Sequence, residues 1–323
     1  MASIKNIGVL TSGGDAPGMN AAIRAVVRAG FYNGFNVYGI RKGYNGLITG
    51  DIHKMDPRDV SGIIKMGGTV LKTARCKEFM DIEGQKKAVS MARVFGLDAV
   101  VVIGGDGSFK GALEVSKLGL PVIGMPGTID NDIASTDYTI GYDTALNTAQ
   151  DAIDKIRDTS YSHERCSVLE VMGRRAGYLA LTIGITVGAE AIVIPEKEFN
   201  LETDVLRPLV DARNRGKADF IVVVAEGVGK VLDIAQDITD KTGIEARTTI
   251  LGHIQRGGSP TVYDRYMASL MGEKAVSLIA EGALNQIVGF KDNKVIGIDI
   301  EKALKMEKRL SPELIRISKV LSI

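Results

Sequence analysis

The chain has 323 residues, 45% of them hydrophobic and 24% charged, with 40 Lys+Arg balanced by 39 Asp+Glu. This composition reads as a soluble globular protein, and a formal net charge of +1 gives no support to a binder of nucleic acid or of another polyanion. The length exceeds one comfortable hydrophobic core, so two domains of roughly 150 residues each are expected.

The opening Met-Ala-Ser-Ile-Lys leads straight into a strand-like segment, with no apolar signal core and no cleavage site. Ile7 to Leu10 form the first predicted strand, followed by the turn Thr11-Ser12-Gly13-Gly14-Asp15-Ala16-Pro17-Gly18. A helix comes next: Met19, Ile23, Val26, Val27 and Gly30 recur at helical spacing, and Arg24 and Arg28 sit four apart on the other face. Ala99 to Ile103 form a strand before Gly104-Gly105-Asp106-Gly107-Ser108, and Val122 to Met125 form one before Pro126-Gly127-Thr128-Ile129-Asp130-Asn131-Asp132. Val168 to Met172 run into Gly173-Arg174. Tyr178 to Pro195 is the longest apolar stretch, but Gly184, Gly188 and Glu190 interrupt it and make it a poor membrane span. Ile192 to Ile194 precede Pro195-Glu196, and Ile221 to Ala225 precede Glu226-Gly227.

Apolar runs without alternation read as parallel strands buried on both faces, so helices must cover the sheets. The predicted fold class is α/β, with two doubly wound, Rossmann-like, three-layer α/β/α domains and mostly parallel sheets. In such folds ligands bind beyond the carboxyl ends of the strands, where these polar clusters gather. Cys76 and Cys166, the two cysteines, make neither a disulfide framework nor a paired-thiol metal motif, which fits a reducing cytoplasm.

The glycines around Asp106 let backbone N–H groups approach phosphate oxygens, and the carboxylate suits a magnesium ion bridging them. A tight strand-to-helix turn with a solvated aspartate is the alternative. The first turn is a second glycine-rich loop, with Gly14 offering a backbone donor. In the third cluster Asp130 or Asp132 can serve as a base toward an acceptor hydroxyl and Thr128 can contact a transferred phosphoryl; the alternative is that all three cap the next helix, since Asp and Thr are both favoured there. Arg75, Arg165, Arg174, Arg175, Arg247 and Arg256 are the candidate cations for phosphate. His53, His163 and His253 lack zinc-site spacing. No P-loop, dinucleotide fingerprint or serine-hydrolase elbow occurs.

In combination, "GVLTSGGDAPGMNAAIR" at 8–24, "GGDGS" at 104–108, "PGTIDND" at 126–132, "VMGR" at 171–174 and "GHIQRGGSP" at 252–260 resemble the bacterial ATP-dependent 6-phosphofructokinases, in order and spacing. The resemblance runs from about residue 4 to about residue 300 and leaves the last fifteen or so residues unlike it. It implies transfer of the ATP γ-phosphate to the 1-hydroxyl of fructose 6-phosphate, with magnesium, by a cytoplasmic homotetramer. It further implies an ATP-binding domain of residues 1–141 plus 255–305 and a sugar-phosphate domain of 142–254 plus 306–323.

By the same resemblance Asp130 is the general base, Thr128 contacts the moving phosphoryl and Asp132 supports them. Asp106 binds magnesium, with Gly14, Arg75, Cys76, Gly105, Gly107 and Ser108 around ATP. Arg75 and Arg174 stabilise the transferring group. Ile129, Met172, Gly173, Glu226, His253, Ile254, Gln255 and Arg256 belong to the sugar-phosphate pocket, which Arg165 and Arg247 reach from an adjacent subunit. An effector site between subunits, for ADP or phosphoenolpyruvate, is implied at Arg24, Arg28, Arg157, Gly188, Glu190, Arg215, Lys217 and Asp219, with Glu190 on the effector's magnesium. Pro57, Arg58 and Gly62 depart from the pattern there. Pyrophosphate-dependent relatives resemble GGDD and PKTIDND where this chain has Gly107 and Gly127, so ATP is the expected donor and pyrophosphate the alternative.

Overall fold

The computed structural model describes residues 4–322. Residues 1–3 and 323, which belong to the N-terminal reading and to the ends of the expected domain ranges, lie outside the described residues. In chain order the strands are β1 (Asn6–Thr11), β2 (Asn36–Ile40), β3 (Ile52–Met55), β4 (Ala99–Gly104), β5 (Val122–Pro126), β6 (Cys166–Val171), β7 (Ala191–Val193), β8 (Phe220–Ala225), β9 (Ala246–Ile250), β10 (Gln286–Lys291) and β11 (Lys294–Asp299). The helices are α1 (Met19–Tyr32), α2 (Tyr44–Thr49), α3 (Ile82–Val94), α4 (Asp106–Lys117), α5 (Tyr142–His163), α6 (Tyr178–Thr186), α7 (Arg207–Asn214), α8 (Val231–Thr242), α9 (Val262–Ala280), α10 (Ile300–Lys305) and α11 (Pro312–Leu321).

The chain divides into two compact units. The first takes the described residues up to Ile129, Ile133–Thr144 and Arg256–Lys308; the second takes Asp130–Asp132, Ala145–Gln255 and the chain from Arg309 onward.

The first unit holds a seven-stranded sheet in the order β11-β10-β5-β4-β1-β2-β3. It is parallel from β10 to β2, and an antiparallel strand closes each edge. β4 explains the arrangement: all six of its residues are buried, so it needs helices on both faces. Each of its valines contributes roughly 1.5–3 kcal/mol on leaving water. α1 buries Met19, Ile23, Val26, Val27 and Gly30, the stripe that the spacing predicts, and packs on α9. The hairpin from β10 to β11 is absent from the sequence reading. Its two-residue loop, Asp292-Asn293, takes φ values of 49° and 58°, the double left-handed geometry that suits the twist of a hairpin.

β1 lies between β4 and β2, so the chain leaves its carboxyl end in one direction and returns on the other side. That is the switch point where doubly wound sheets open a crevice. Three loops converge there. The Ser12 N–H donates to the Ile103 carbonyl at 2.9 Å, and the Gly127 N–H donates to the Gly104 carbonyl at 2.9 Å.

The second unit holds the parallel sheet β7-β8-β6-β9. β8 is buried throughout. α7 and α8 pack with Val168, Val222 and Val224 in one core, while α6 lies on β7 and β8 and carries α11.

A methyl group added at Gly104 would sit 2.5 Å from both the Ser108 hydroxyl and the Ser12 carbonyl. Gly104→Ala is therefore expected to destabilise the protein by about 1–3 kcal/mol, read as a lowered denaturant midpoint with an unchanged m-value.

Candidate active site

In the first unit the predicted nucleotide-side residues cluster at the carboxyl ends of β1, β4 and β5. Gly104 ends the strand, Gly105 caps α4 and Asp106 opens it. The Asp106 carboxylate pairs with Lys110 at 2.7 Å, and both side chains are about half exposed or more, so solvent screens the pair and a ligand displaces it easily. Ser108 is buried, and its carbonyl accepts from the Tyr44 hydroxyl at 2.6 Å. Gly107 is exposed. Thr128 follows β5, and its carbonyl accepts from the Thr139 hydroxyl at 2.6 Å. Asn131 takes φ 50°, a left-handed turn that asparagine tolerates and that separates Asp130 from Asp132.

Arg75 is exposed and Cys76 half-buried. Their segment is tied to the first turn through the Thr73 hydroxyl, which donates to the Gly13 carbonyl at 2.8 Å. Cys76 also packs against the core of this unit. The Arg256 guanidinium lies against Gly14, so close that a methyl group there would meet Nη2 at 2.4 Å. It stands 4.0 Å from the Asp15 carboxylate. The structure thus brings Arg256 beside the first glycine turn.

In the second unit Met172, Gly173 and Arg174 follow β6, Glu226 follows β8, and His253, Ile254 and Gln255 follow β9. Local bonds join these loops: the Met172 N–H donates to the buried Gln255 side chain at 2.8 Å, and the Arg174 N–H donates to Glu226 at 2.5 Å. Gln255 thereby braces the loop that carries Met172. Arg174 holds φ 60°, a left-handed strain of the kind that functional loops retain. His253 and Ile254 are exposed.

Arg165 and Arg247 stand elsewhere. Arg165 immediately precedes β6, and Arg247, the second residue of β9, pairs in register with Ser167, so both lie at the amino ends of their strands. Glu245 holds both, at 3.0 Å from Arg165 and 2.6 Å from Arg247. Six strand residues at about 3.3 Å each put about 20 Å between Arg165 and the Met172 loop of one chain. The sequence reading did not single out Glu245.

Of the residues assigned to an effector, those of the second unit lie toward the amino ends of β7 and β8. Arg157 lies 3.6 Å from Asp219 and donates to the Val187 carbonyl. Glu190 is buried, and its oxygens accept from Lys217 and, at 2.7 Å, from the Ile221 N–H. Its carboxylate is thus already engaged by protein donors. Glu190 and Arg215 line a cavity of about 270 Å³ whose far wall is Ile315, Ser318 and Lys319 of α11. Arg24 and Arg28 lie on α1 in the first unit; burial, then the charge of Arg28, press the Arg24 guanidinium below its ordinary range. Gly62, one of the departures from the resembled pattern, takes φ 76°, a backbone conformation that favours glycine.

The phosphofructokinase family profile matches residues 6–279. The chain belongs to the phosphofructokinase family. It is 54% identical over 320 residues, covering 99% of this chain and 100% of the relative, to a protein of Alkaliphilus metalliredigens named ATP-dependent 6-phosphofructokinase. A Clostridium botulinum protein of the same name is 55% identical over 319 residues, again covering 99% of this chain and all of that one. Among solved structures, phosphofructokinase from Saccharomyces cerevisiae superposes with a TM-score of 0.87 at 36% identity, covering 99% of this chain and 48% of the yeast chain. A pyrophosphate-dependent phosphofructokinase from Marinobacter aquaeolei shares the fold, with a TM-score of 0.84 at 21% identity. The two-domain, mostly parallel α/β architecture is that of the phosphofructokinases.

Beside this phosphofructokinase's Glu226 lies a second carboxyl. Burial, and then the Glu226 charge, push Glu170 above the ordinary carboxylate range. A raised folded pKa means that ionised Glu170 opposes folding: stability is fully present below the unfolded value near pH ~4.3 and is lost as pH rises through the folded one. Glu170→Gln is expected to raise the thermal midpoint at neutral pH and to leave it unchanged in acid, which a pH series of melting curves checks.

Proposed function

We propose that this phosphofructokinase is an ATP-dependent 6-phosphofructokinase, moving the γ-phosphoryl of ATP to the 1-hydroxyl of fructose 6-phosphate to yield fructose 1,6-bisphosphate and ADP. Full-length relatives of that name at 54–55% identity carry the reading. The choice of donor is supported at Gly107: a methyl group built there meets nothing within 4 Å. The fold itself therefore has no need of glycine at that position, and the open space suits an α-phosphate that a carboxylate would repel. Gly127 is less telling, since a methyl group there meets Ile103 at 3.0 Å and Met19 at 3.4 Å, so packing alone favours glycine.

In this mechanism the glycine loops at 13–14 and 104–107 receive the phosphates on backbone N–H groups, at a helix start whose dipole favours anions. Asp106 is the residue to hold magnesium. Among the described residues no three His, Cys, Asp or Glu gather as a metal cage; a single half-exposed carboxylate is a donor set that magnesium takes when nucleotide phosphates supply the rest. The ion, when bound, spreads the phosphate charge. Asp130 takes the proton of the 1-hydroxyl as its oxygen bonds to phosphorus and the bond to the β-phosphate oxygen breaks. Thr128 contacts the moving group, with Asp132 in support, and Arg75 and Arg174 offset its charge.

Arg165 and Arg247 sit at the amino end of the sheet whose carboxyl end carries Met172, Glu226 and His253, which supports their serving another copy's sugar phosphate. A homotetramer with ADP and phosphoenolpyruvate as effectors, working in the cytoplasm, belongs to this proposal. Among the described residues no helix is long and apolar enough to cross a membrane.

The deciding assay is turnover of fructose 6-phosphate with ATP against pyrophosphate; turnover with pyrophosphate alone would overturn the assigned donor. Asp130→Ser is expected to cut kcat by about 10²–10⁴ while sparing ATP affinity, and retention of more than a tenth of the turnover would remove it as the base. Arg247→Ser is expected to raise KM for the sugar phosphate on the order of 10- to 100-fold with a far smaller change in kcat. An unchanged KM would take Arg247 out of the phosphate site.

A further inference from the structure

Asp264, in the first turn of α9, is fully buried. Its Oδ1 accepts from the Tyr138 hydroxyl at 2.5 Å and the Gly141 N–H at 2.5 Å. Oδ2 accepts from the Thr144 N–H at 2.8 Å and the Thr144 hydroxyl at 2.5 Å. All four donors are uncharged and all lie within residues 138–144. Burying a carboxylate without a cation is costly unless its oxygens are fully hydrogen-bonded, and here each receives two donors. Two of those donors are backbone N–H groups, which cannot turn round to accept. An acceptor on both sides is therefore required.

The clamped segment touches two of the three loops of the nucleotide-side cluster, the one after β5 and the one after β1. The Ile140 N–H donates to the Pro126 carbonyl at 2.9 Å, and Ile140 bridges Gly127. Gly141 fits so closely against the first turn that a methyl group there would sit 2.7 Å from the Ala16 side chain. Thr139, itself fully buried, gives its hydroxyl to the Thr128 carbonyl at 2.6 Å. Two residues further along the chain is Asp130. Thr261, the cap of α9, adds a return contact, its N–H donating to the Thr144 hydroxyl at 3.0 Å.

We infer that Asp264 is a positioning residue for phosphoryl transfer: it fixes the 138–144 segment, and Thr139 of that segment holds the backbone that presents Thr128, at the point where the chain runs on to Asp130. This rests on the function proposed above. The carboxylate touches no reacting atom, so it acts through geometry, and a displacement of about 1 Å is enough to cost about 10²-fold in rate.

The test is steady-state kinetics on the full-length protein with Asp264→Asn, Thr139→Val, Thr139→Ser and the double variant Asp264→Asn with Thr139→Val. Asp264→Asn turns an N–H₂ group toward a backbone donor and is expected to lower kcat about 10²-fold with KM for ATP unchanged. Thr139→Val, which leaves the buried carboxylate and its four donors intact, is expected to lower kcat by up to about tenfold; Thr139→Ser restores it. The double variant is expected to lose no more than Asp264→Asn alone, because both lesions break one chain of contacts. Losses that multiply, or a lowered melting point with kcat intact, overturn the positioning role. Should Asp264→Asn fail to fold, the contrast between Thr139→Val and Thr139→Ser decides the question. Amide hydrogen exchange across residues 126–132 gives a readout independent of turnover: it is expected to quicken in Thr139→Val, and unchanged exchange overturns the role. A wild-type protein that moves no phosphoryl from ATP refutes the proposed function separately, with the exchange result still standing.

Discussion

No side-chain atom fits at Gly104, where the carbonyl of Ser12 and the hydroxyl of Ser108 both stand 2.5 Å from the place of a methyl carbon. This clearance is the constraint on which the nucleotide side depends. It lets β4 run to its last residue beside β1, and it lets Gly104 accept the Gly127 N–H while Ile103 accepts that of Ser12. Each such bond contributes only about 0.5–1.5 kcal/mol net. Their larger effect is geometric, since three loops that leave three strands are held in one register.

From there two supports reach outward. Thr73 ties the segment carrying Arg75 to Gly13, and Thr139 ties the loop carrying Thr128 to the segment that Asp264 clamps. Side chains with no proposed chemistry of their own thus tie down the segments that carry the proposed reactive residues. Preorganisation of this kind matters for phosphoryl transfer, where the protein contributes positioning and charge rather than a covalent step.

The second unit works by separation. Its four parallel strands have loops rich in substrate-side candidates at the carboxyl ends and two arginines held by one glutamate at the amino end. The pairs with Glu245 are solvent-exposed and contribute little to stability. They keep two cations ordered at a surface that a phosphate dianion is well suited to join. The buried Glu190, bound by Lys217 and a backbone N–H, is the opposite case, a carboxylate whose partners leave it strongly committed to the fold.

Local pattern determined much of this molecule. Unbroken apolar runs such as Ala99 to Ile103 specify buried parallel strands because no other element hides both faces, and the stripe from Met19 to Gly30 specifies the buried face of α1. The glycine-flanked aspartates suggest phosphate chemistry for a local reason, that glycine admits a close backbone approach, and this local reason fits a tight strand-to-helix turn as well. The hairpin at Asp292-Asn293 carried a readable turn signal, yet its edge position followed only from the pairing of β10 with β5. What the tertiary structure alone decided are relations between distant residues. Thr261 and Asp264 lie at the start of one helix, yet the carboxylate of Asp264 is spent on residues 120 and more positions away. Arg165 and Met172 are seven apart in the chain, and one extended strand sends them to opposite ends of a sheet. Sequence spacing encodes the period of a helix or strand; which loop ends face one another is set by strand order, and that exists only once the sheet has formed.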